Sequence, residues 1–517
     1  MSLDQQIAEL ALRYRPLAVE LLKEAIRIPA DYVDRPTEEG GDPHCGLSNH
    51  EGPRLEYLRR RIVEIGAVDR DEDAFFDGFG NLVWTLTDPN DGVAEEDRTV
   101  VWTDGHTDTV MALRDQWRSV LGEGVDAYDG LKDLERVNKD ALRGELGYLP
   151  PEAEWDHLVF GRGAADQLSG VICQIVGTKV LRELRSAGAM RGITLRGYGS
   201  VAEEDNDGGG PMWVLANELA GAPAGRMPDV VVLSEGTGDA SGGSVGIYRG
   251  QRGRMQIAVE VIGRSCHGSM PWEGLNPLEY GGRIIAEAAD RYDSREGFLD
   301  DPFLGHGTRT ASWANLDSPS DCAVPQRFTF RFDRRLTIGE TPEMAVADIE
   351  RLPAVAAARA AGLTVHIGVP VYDSPTWRGT VPGNPQFYAG WLTPDEHPAI
   401  RAAVQSYRQV VTDQVDEAGA HGNLRAEPRV GRWIFSTDGV GFPVPSDDQS
   451  VVVPASKGWV DSGAFKHPAM FGVGPGIEQN THKLGECVDD REMQHVIAFY
   501  ARFPTTFRAL KAAAAVS

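Results

Sequence analysis

The segment Gly105-His106-Thr107-Asp108-Thr109-Val110 places a histidine two residues before an aspartate, directly after the apolar run Thr99-Val100-Val101-Trp102. A metal-bound imidazole usually donates its second ring N–H to a nearby carboxylate. A histidine and an aspartate at the end of a strand are therefore a natural metal ligand and its orienting partner. We interpret His106 as a candidate ligand and Asp108 as the residue that orients it.

Four more acidic residues stand in comparable positions, after predicted strands or before a predicted helix: Glu203, Glu204, Glu235 and Asp166. In an open α/β sheet, residues at the carboxyl ends of the strands meet at one edge, where ligands bind. Carboxylates gathered there without a cation would repel one another or remain protonated. The pattern therefore predicts a bound divalent metal and the chemistry of a metallohydrolase.

Each residue taken alone has a simpler interpretation. His106 is then a hydrogen-bonded histidine, Asp166 a helix N-cap, Glu203-Glu204 a solvated acidic turn, and Glu235 a turn residue. The arrival of all of them from separate segments at one predicted sheet edge favours the metal site.

Length and charge limit the class of protein. A chain of 517 residues is expected to form at least two domains. A formal net charge of −26 argues against nucleic-acid partners and against binding to anionic membranes. The N-terminus does not resemble a secretory signal, and the five scattered cysteines (Cys45, Cys173, Cys266, Cys322 and Cys487) predict no disulfide framework. These features predict a cytoplasmic protein.

Two kinds of unit are predicted along the chain. A helix through about Ile28 opens with a capping box of Ser2 and Gln5, and residues 80–240 then alternate strands with a helix, as in an α/β domain with a mostly parallel sheet flanked by helices. Residues 248–375 read β-α-β-β-α-β, the ferredoxin-like order, with one predicted helix over Pro342 to Ala360. We expect a discontinuous catalytic domain, 1–247 and 376–517, with an inserted lid domain at 248–375. Residues 113–155 and 443–461 are predicted loops or local insertions.

Together the motifs resemble those of the zinc aminoacylase and carboxypeptidase family, which includes acetylornithine deacetylase and succinyl-diaminopimelate desuccinylase. The resemblance covers about residues 75 to 500 and is most evident for the subgroup described as selenium-metabolism-linked hydrolases. The matching segments are Gly105 to Val110, Gly161 to Asp166, Glu203-Glu204, Ser234-Glu235, Arg252 to Arg254, Cys266 to Ser269, Asp333 to Arg335, and Gly474 to Gly476 with His482.

The resemblance implies two Zn²⁺ ions per chain bridged by Asp166, with Co²⁺ or Mn²⁺ also suited to such ligands. His106 and Glu235 would hold one ion, and Glu204 and His482 the other. Glu203 would be the general base.

The resemblance also implies a homodimer formed through the inserted domain. His267 would then stabilise the oxyanion, often in the active site of the partner subunit. Further candidates for substrate contacts are Arg252, Arg334, Thr437 and Gly474. Arg335 could also bind a substrate carboxylate, but Arg334 and Arg335 cannot easily both do so, because neighbouring residues of a strand face opposite ways.

The expected reaction is hydrolysis of an amide next to a carboxylate, in an N-acyl amino acid or alternatively in a dipeptide or the C-terminal bond of a peptide. Two positions depart from the family pattern: Gly236 stands where proline is common, and Gly485 where asparagine is usual. Both affect the expected geometry of the site more than its ligands.

Two other classes remain as alternatives. Gly242-Gly243-Ser244-Val245-Gly246 satisfies the G-x-S-x-G pattern of a serine hydrolase, although such a serine needs a strand before it and a helix after it. A non-catalytic binding protein with this fold would be expected to have lost a ligand or the base, and every one is present.

Overall fold

The computed structural model describes residues 1–30, 50–130, 136–219, 226–412 and 424–514. The first helix, Leu3–Ile26, opens with the predicted capping box: Gln5 N–H donates to Ser2 Oγ at 3.2 Å, and Ser2 N–H donates to Gln5 Oε1 at 3.0 Å. Within these ranges, no helix combines the length and apolar character needed to cross a membrane. Four cysteines are free thiols, and Cys45 lies outside the described residues.

A nine-stranded sheet organises the larger unit. Its inner strands run parallel, as predicted, whereas Leu82–Thr87 is antiparallel to its neighbour Ile193–Ser200. In spatial order the strands are Ala74–Phe76, Leu82–Thr87, Ile193–Ser200, Thr99–His106, Val230–Leu233, Ala469–Gly472, Gly246–Gln251 and Trp391–Leu392, with Arg429–Trp433 also paired to Gly246–Gln251.

Helices cover one face of this sheet and enclose the main apolar core. They are Leu3–Ile26, Gly52–Glu64, Leu168–Glu183, Pro398–Val410 and Asp490–Ala514. The other face buries an aromatic layer that includes Trp102, Tyr198, Trp391 and Trp433. Shorter segments close that face, among them Gly209–Trp213 and the small sheet of Val444–Pro445, Val460–Ser462 and Phe465–His467.

A second, antiparallel sheet forms the inserted unit, with helices packed on one face, and the predicted β-α-β-β-α-β order is confirmed. Its strands in spatial order are Thr308–Asp317, Arg327–Leu336, Gly253–Ile262 and Thr364–Gly368, with Phe387–Tyr388 also paired to Gly253–Ile262. Its helices are Pro277–Asp293, Pro342–Glu350 and Pro353–Ala360. The boundaries at residues 247/248 and 375/376 stay predictions.

The prediction of a single helix over Pro342 to Ala360 was wrong. The structure has two helices there, Pro342–Glu350 and Pro353–Ala360. Proline has no N–H to donate and disfavours a helical conformation in the residue before it. Leu352 is accordingly extended, at φ −61° and ψ 128°.

Residues 113–155 form more than a loop. They contain the helices Arg114–Leu121 and Lys139–Leu146, which share an apolar cluster with Phe160 and Cys487. The two-residue strands Cys266–His267 and Ala323–Val324 pair with each other, as do Asp300–Asp301 and Gly305–His306. Leu158–Phe160 pairs with Cys487–Asp489 and so connects residues 113–155 to the C-terminal part of the chain.

Candidate metal centre

Neighbouring strands of the central sheet end at one edge and deliver acidic residues and a histidine there. His106 closes Thr99–His106 and lies opposite Ser200 in the register of the next strand, three residues before Glu203. Glu235 follows the adjacent parallel strand Val230–Leu233 by two residues. Because parallel strands share an orientation, their carboxyl ends bring these side chains together.

Asp166 lies between the two predicted histidines. Its Oδ1 is 2.9 Å from His106 Nε2, and its Oδ2 is 3.0 Å from His482 Nε2. His482 Nε2 is also 3.2 Å from Glu204 Oε2. Potential ligand atoms of His106, Asp166 and Glu204 all lie within 4.8 Å of one another. One carboxylate therefore faces two imidazoles with different oxygens, the arrangement expected of a bridging ligand.

His106 is buried and held on both sides of its ring. Its Nδ1 lies 3.1 Å from the backbone oxygen of Asp108 and 3.4 Å from Asp108 Oδ1. Its Nε2 faces Glu235 Oε2 at 3.6 Å and Glu203 Oε2 at 3.8 Å. Asp108 thus lies beside the nitrogen that points away from the acidic cluster, a position compatible with the role of orienting residue.

The two consecutive glutamates begin a short helix, Glu203–Asn206, after a residue with positive φ, Ala202 at 66°. Both of their backbone N–H groups donate to the Asp108 carboxylate, at 3.2 and 3.1 Å. This turn allows neighbouring side chains to differ: Glu204 faces His482, and Glu203 faces the side of His106.

Asp166 does not cap the helix that follows it. Leu168–Glu183 begins after Gln167, which makes no side-chain capping bond. The backbone N–H of Asp166 instead donates to Glu486 Oε1 at 3.0 Å, and Glu486 Oε2 pairs with Arg162 at 2.6 Å. A fully buried Glu486 therefore fixes the loop that presents Asp166.

Gln167 supports Glu235 in a similar way, donating from Nε2 to Glu235 Oε2 at 2.8 Å. Sequence reasoning did not assign roles to Gln167 or Glu486. Gln167 directly follows a candidate ligand, and Glu486 follows Gly485, one of the two departures from the family pattern. Their partners lie about 70 and 320 positions away along the chain, so spacing alone could not have found them.

The titration of the acidic cluster reflects close contact between charges. Burial would raise the pKa of Asp166, but hydrogen bonds with His106 and His482 hold it well below its usual value. Burial would lower the pKa of His482, yet its bonds to Asp166 and Glu204 raise it to about 11. In this arrangement the histidines neutralise Asp166 by keeping their protons.

Burial raises the pKa of Glu203 well above its usual value and that of Glu235 to about 7. The cluster therefore has more carboxylates than its two imidazoles can neutralise. Imidazole nitrogen and carboxylate oxygen are the donors that Zn²⁺ accepts in catalytic sites. This donor set fits divalent metal ions, which would take over the neutralising role of the protons.

The acidic cluster opens into a cleft of about 340 Å³. Its lining differs from the predicted substrate contacts, because Arg254 and Arg335 line it, not Arg252 and Arg334. The remaining lining residues are Asp166, Glu203, Glu204, Asp207, Glu235, Phe435, Ser436, Thr481 and His482.

Arg252 and Arg334 are held by other partners, so their role as substrate contacts stays a prediction. Arg334 lies on the buried side of its strand and pairs with Glu340 at 2.5 Å, and Arg252 donates to the backbone oxygen of Leu304 at 3.0 Å. Successive residues of a strand face opposite ways, so Arg335 reaches the cleft when Arg334 does not.

Other candidates lie outside the cleft lining. Thr437 is buried and donates to Gln251 at 2.9 Å, and the buried Gly474 accepts from Thr237 through its backbone oxygen at 3.1 Å. His267 is exposed on its short strand. Ser244 is buried and precedes the strand Gly246–Gln251, so it does not form the strand-to-helix turn of a serine nucleophile.

Comparisons with known proteins agree with this architecture. The family model described as the M20 peptidase dimerisation domain matches residues 249–360. The uncharacterised protein YgeY of Escherichia coli is 33% identical over 356 residues, which cover 69% of this chain and 74% of that protein. A succinyl-diaminopimelate desuccinylase of Methylobacterium radiotolerans is 27% identical over 41% of this chain and 52% of its own length.

Among solved structures, the dipeptidase Dug1p of Saccharomyces cerevisiae matches with a TM-score of 0.62 and 11% identity, covering 98% of this chain and 99% of its own. At this identity the similarity concerns the fold alone.

Proposed function

Because the chain belongs to the M20 family of metal-dependent hydrolases that act on amide and peptide bonds, we propose that it removes the acyl group from N-acyl amino acids at a two-metal centre. The observation that supports this most directly is the position of Asp166, with one oxygen on His106 and the other on His482. A carboxylate shared in this way fits two neighbouring cations.

Asp166 would bridge two Zn²⁺ ions, one also held by His106 and Glu235 and the other by Glu204 and His482. Co²⁺ or Mn²⁺ would suit the same oxygen-rich set. When bound, the metal centre would act as a Lewis acid on the amide carbonyl and on the attacking water.

Glu203 is the proposed general base. Its carboxylate is buried beside the acidic cluster and lines the cleft, and burial raises its pKa well above its usual value. Glu203 would take a proton from the attacking water and later deliver it to the leaving amine nitrogen.

Arg335 and Arg254 supply the positive side of the same cleft. Arg335 donates to Asp333 at 2.8 Å and to Ser436 at 2.9 Å, which holds its guanidinium in a fixed orientation. A guanidinium recognises a carboxylate through charge-assisted hydrogen bonds. The cleft therefore suits a substrate whose scissile amide stands next to a free carboxylate.

Asp207 favours an N-acyl amino acid over a dipeptide. It is the one carboxylate in the cleft lining outside the proposed ligands and base, and it already pairs with Arg254 and accepts from Tyr372 at 3.0 Å and Ser436 at 2.5 Å. A dipeptide would bring an ammonium group that needs an unpaired acceptor, whereas an acyl group needs none. Dipeptidase or carboxypeptidase activity by the same machinery is the second candidate.

The inserted unit is proposed to form a homodimer. Thr308–Asp317 is the edge strand of its sheet, and along it Trp313 and Leu316 are 48% and 42% exposed. An open edge of this kind can continue a sheet into a second copy across a two-fold axis.

The test is a matched substrate panel with Zn²⁺, Co²⁺ or Mn²⁺ added. For each amino acid, the N-acetyl and N-succinyl derivatives are compared with the glycyl dipeptide and with the N-acetyl amino acid amide, which lacks the carboxylate. We expect the highest kcat/KM for an N-acyl amino acid and poor turnover of its amide. Preferential cleavage of dipeptides would favour the second candidate, and efficient cleavage of the capped amide would contradict carboxylate recognition.

A further inference from the structure

His482 lies on an irregular loop between the short helix Glu478–Asn480 and the strand Cys487–Asp489. The His482 side chain is 53% exposed, and its backbone has φ +60°, a conformation that non-glycine residues rarely adopt. His106, by contrast, is buried at the end of a central strand. Other contacts must therefore hold His482 against Asp166.

Asn480 closes this loop. It is 2% exposed, and its Nδ2 donates to the backbone oxygen of Cys487 at 2.9 Å, which joins the two ends of the segment. Its Oδ1 accepts a hydrogen bond from Tyr148 at 2.6 Å. Tyr148 lies in the insertion 113–155, so a residue 332 positions away orients the side chain that closes the loop.

The insertion also packs directly against the other end of the loop. Leu484 contacts the apolar cluster built by the insertion, and Cys487 is part of it. Gly485 has φ +80°, and a Cβ at this position would lie 2.5 Å from Leu142 Cδ1 and 3.0 Å from Val120 Cγ1. Side chains of the two insertion helices therefore occupy the space that a side chain at position 485 would need.

Glu486 directly follows Gly485. Its Oε1 accepts hydrogen bonds from the backbone N–H groups of Ala165 and Asp166, at 2.9 and 3.0 Å. Residues 480–486 thus carry one proposed ligand, His482, and fix the loop of another, Asp166. The contacts from the insertion meet this segment at both ends.

We propose that Tyr148 and the helix Lys139–Leu146 are positioning elements for the metal site of His482 and Glu204. Tyr148 acts through Asn480, and the helix acts through Leu142 on Gly485. The inference rests on the proposed two-metal centre. It makes the affinity for the metal ion of His482 and Glu204 depend on the insertion more strongly than that for the ion of His106 and Glu235, which meets the supported segment only through Asp166.

The test is a titration of metal-free protein with Zn²⁺ against a chromophoric chelator, which yields both dissociation constants without using activity. Tyr148→Phe removes one hydroxyl and leaves the ring. We expect this substitution to raise the dissociation constant of the Zn²⁺ ion held by His482 and Glu204, the second equivalent, about tenfold. The dissociation constant of the first equivalent should not change. Spectra of the Co²⁺-loaded protein should show the same selective loss, and excess metal should restore kcat.

Tyr407→Phe is the matched control, because Tyr407 also donates a 2.6 Å hydrogen bond, to the backbone oxygen of Arg425. It should alter neither constant. Gly485→Ala is the second variant and should weaken the same equivalent as Tyr148→Phe.

Wild-type constants in both Tyr148→Phe and Gly485→Ala would overturn the inference, as would equal weakening of both equivalents. If the wild-type protein binds fewer than two metal ions per chain at saturation, the proposed two-metal centre is wrong, whatever the Tyr148 variant shows. The two failures are therefore distinguishable.

Discussion

The Asp108 carboxylate accepts a hydrogen bond from the backbone N–H of Glu203 at 3.2 Å, so the residue that supports His106 also fixes the start of the helix carrying the proposed base. The N–H of Glu204 donates to the same carboxylate at 3.1 Å. Asp108 therefore couples three of the proposed site residues through a side chain that is fully buried.

Asp108→Asn tests this coupling. An amide presents only one oxygen, and its NH₂ group would face a backbone N–H, so the turn at Glu203 and Glu204 must shift. We expect kcat to fall roughly 10- to 100-fold with weaker metal binding, the range seen when residues that support ligands are changed. Steady-state kinetics and metal titration measure both.

Asp77→Asn is its control, because Asp77 accepts from the backbone N–H groups of Phe79, Gly80 and Asn81. It should lower stability without changing metal affinity. Equal metal affinity in wild type and Asp108→Asn would argue against the coupling.

Substitutions of the neighbouring strand residues Arg334 and Arg335 should affect different properties, stability in the first case and KM in the second. Arg335→Leu removes a cation from the cleft and should raise KM for N-acyl amino acids roughly 10- to 100-fold, as expected for charge-assisted hydrogen bonds. Arg334→Leu leaves Glu340 buried without its partner and should cost ~3 kcal/mol of unfolding free energy.

Kinetics and urea denaturation of the two variants separate these effects. If Arg334→Leu raised KM in a fully stable protein and Arg335→Leu did not, Arg334 rather than Arg335 would bind the substrate carboxylate.

Strand periodicity explains why the sequence could not choose between these arginines. It predicts that Arg334 and Arg335 face opposite sides, but which side faces the cleft depends on how the two sheets are arranged. The grouping of the acidic cluster was easier to predict, because His106, Glu203, Glu204 and Glu235 follow strands whose ends meet in any parallel sheet. Which of them bind metal stays a prediction.

Long-range contacts limited the rest of the site prediction. Glu486 and Tyr148 make hydrogen bonds to segments more than 300 positions away along the chain, and no local sequence pattern predicts such contacts. Gly485 was noticed only as a departure from the family pattern. The structure explains it, since Leu142 and Val120 occupy the space that a side chain would need.

A buried histidine outside the proposed ligand set, His467, predicts a pH effect on stability. His467 is fully buried, its Nδ1 lies 2.7 Å from the backbone oxygen of Pro468, and burial lowers its pKa to about 4. The unfolded chain takes up this proton near pH 6.5, so the contribution is fully present above about pH 6.5 and is lost as pH falls toward 4.

Between pH 7.5 and 4.5, wild type should therefore lose up to ~3 kcal/mol of unfolding free energy more than His467→Gln. Urea denaturation of the metal-free proteins measures the difference. His366→Gln, at an exposed position, should follow wild type. Parallel pH profiles for wild type and His467→Gln would refute the assignment.

The role expected for His267 requires two subunits. Glu203→Gln and His267→Ala are each expected to be nearly inactive as homodimers. In a heterodimer of the two, one active site would combine an intact Glu203 with His267 of the other subunit, and about half of wild-type activity should return. Purification through two different tags isolates this heterodimer. No recovery, or a monomeric wild type in sedimentation, would mean that His267 does not act across subunits.

The role of Glu203 as general base at a metal centre is tested by the turnover of metal-loaded Glu203→Gln. Glutamine keeps the shape of the side chain but cannot accept the proton, and Glu203 is not among the proposed ligands. We expect two metal ions per chain, as in wild type, with kcat on an N-acyl amino acid lowered roughly 10²- to 10⁴-fold. Turnover close to wild type in the fully loaded variant would contradict that role.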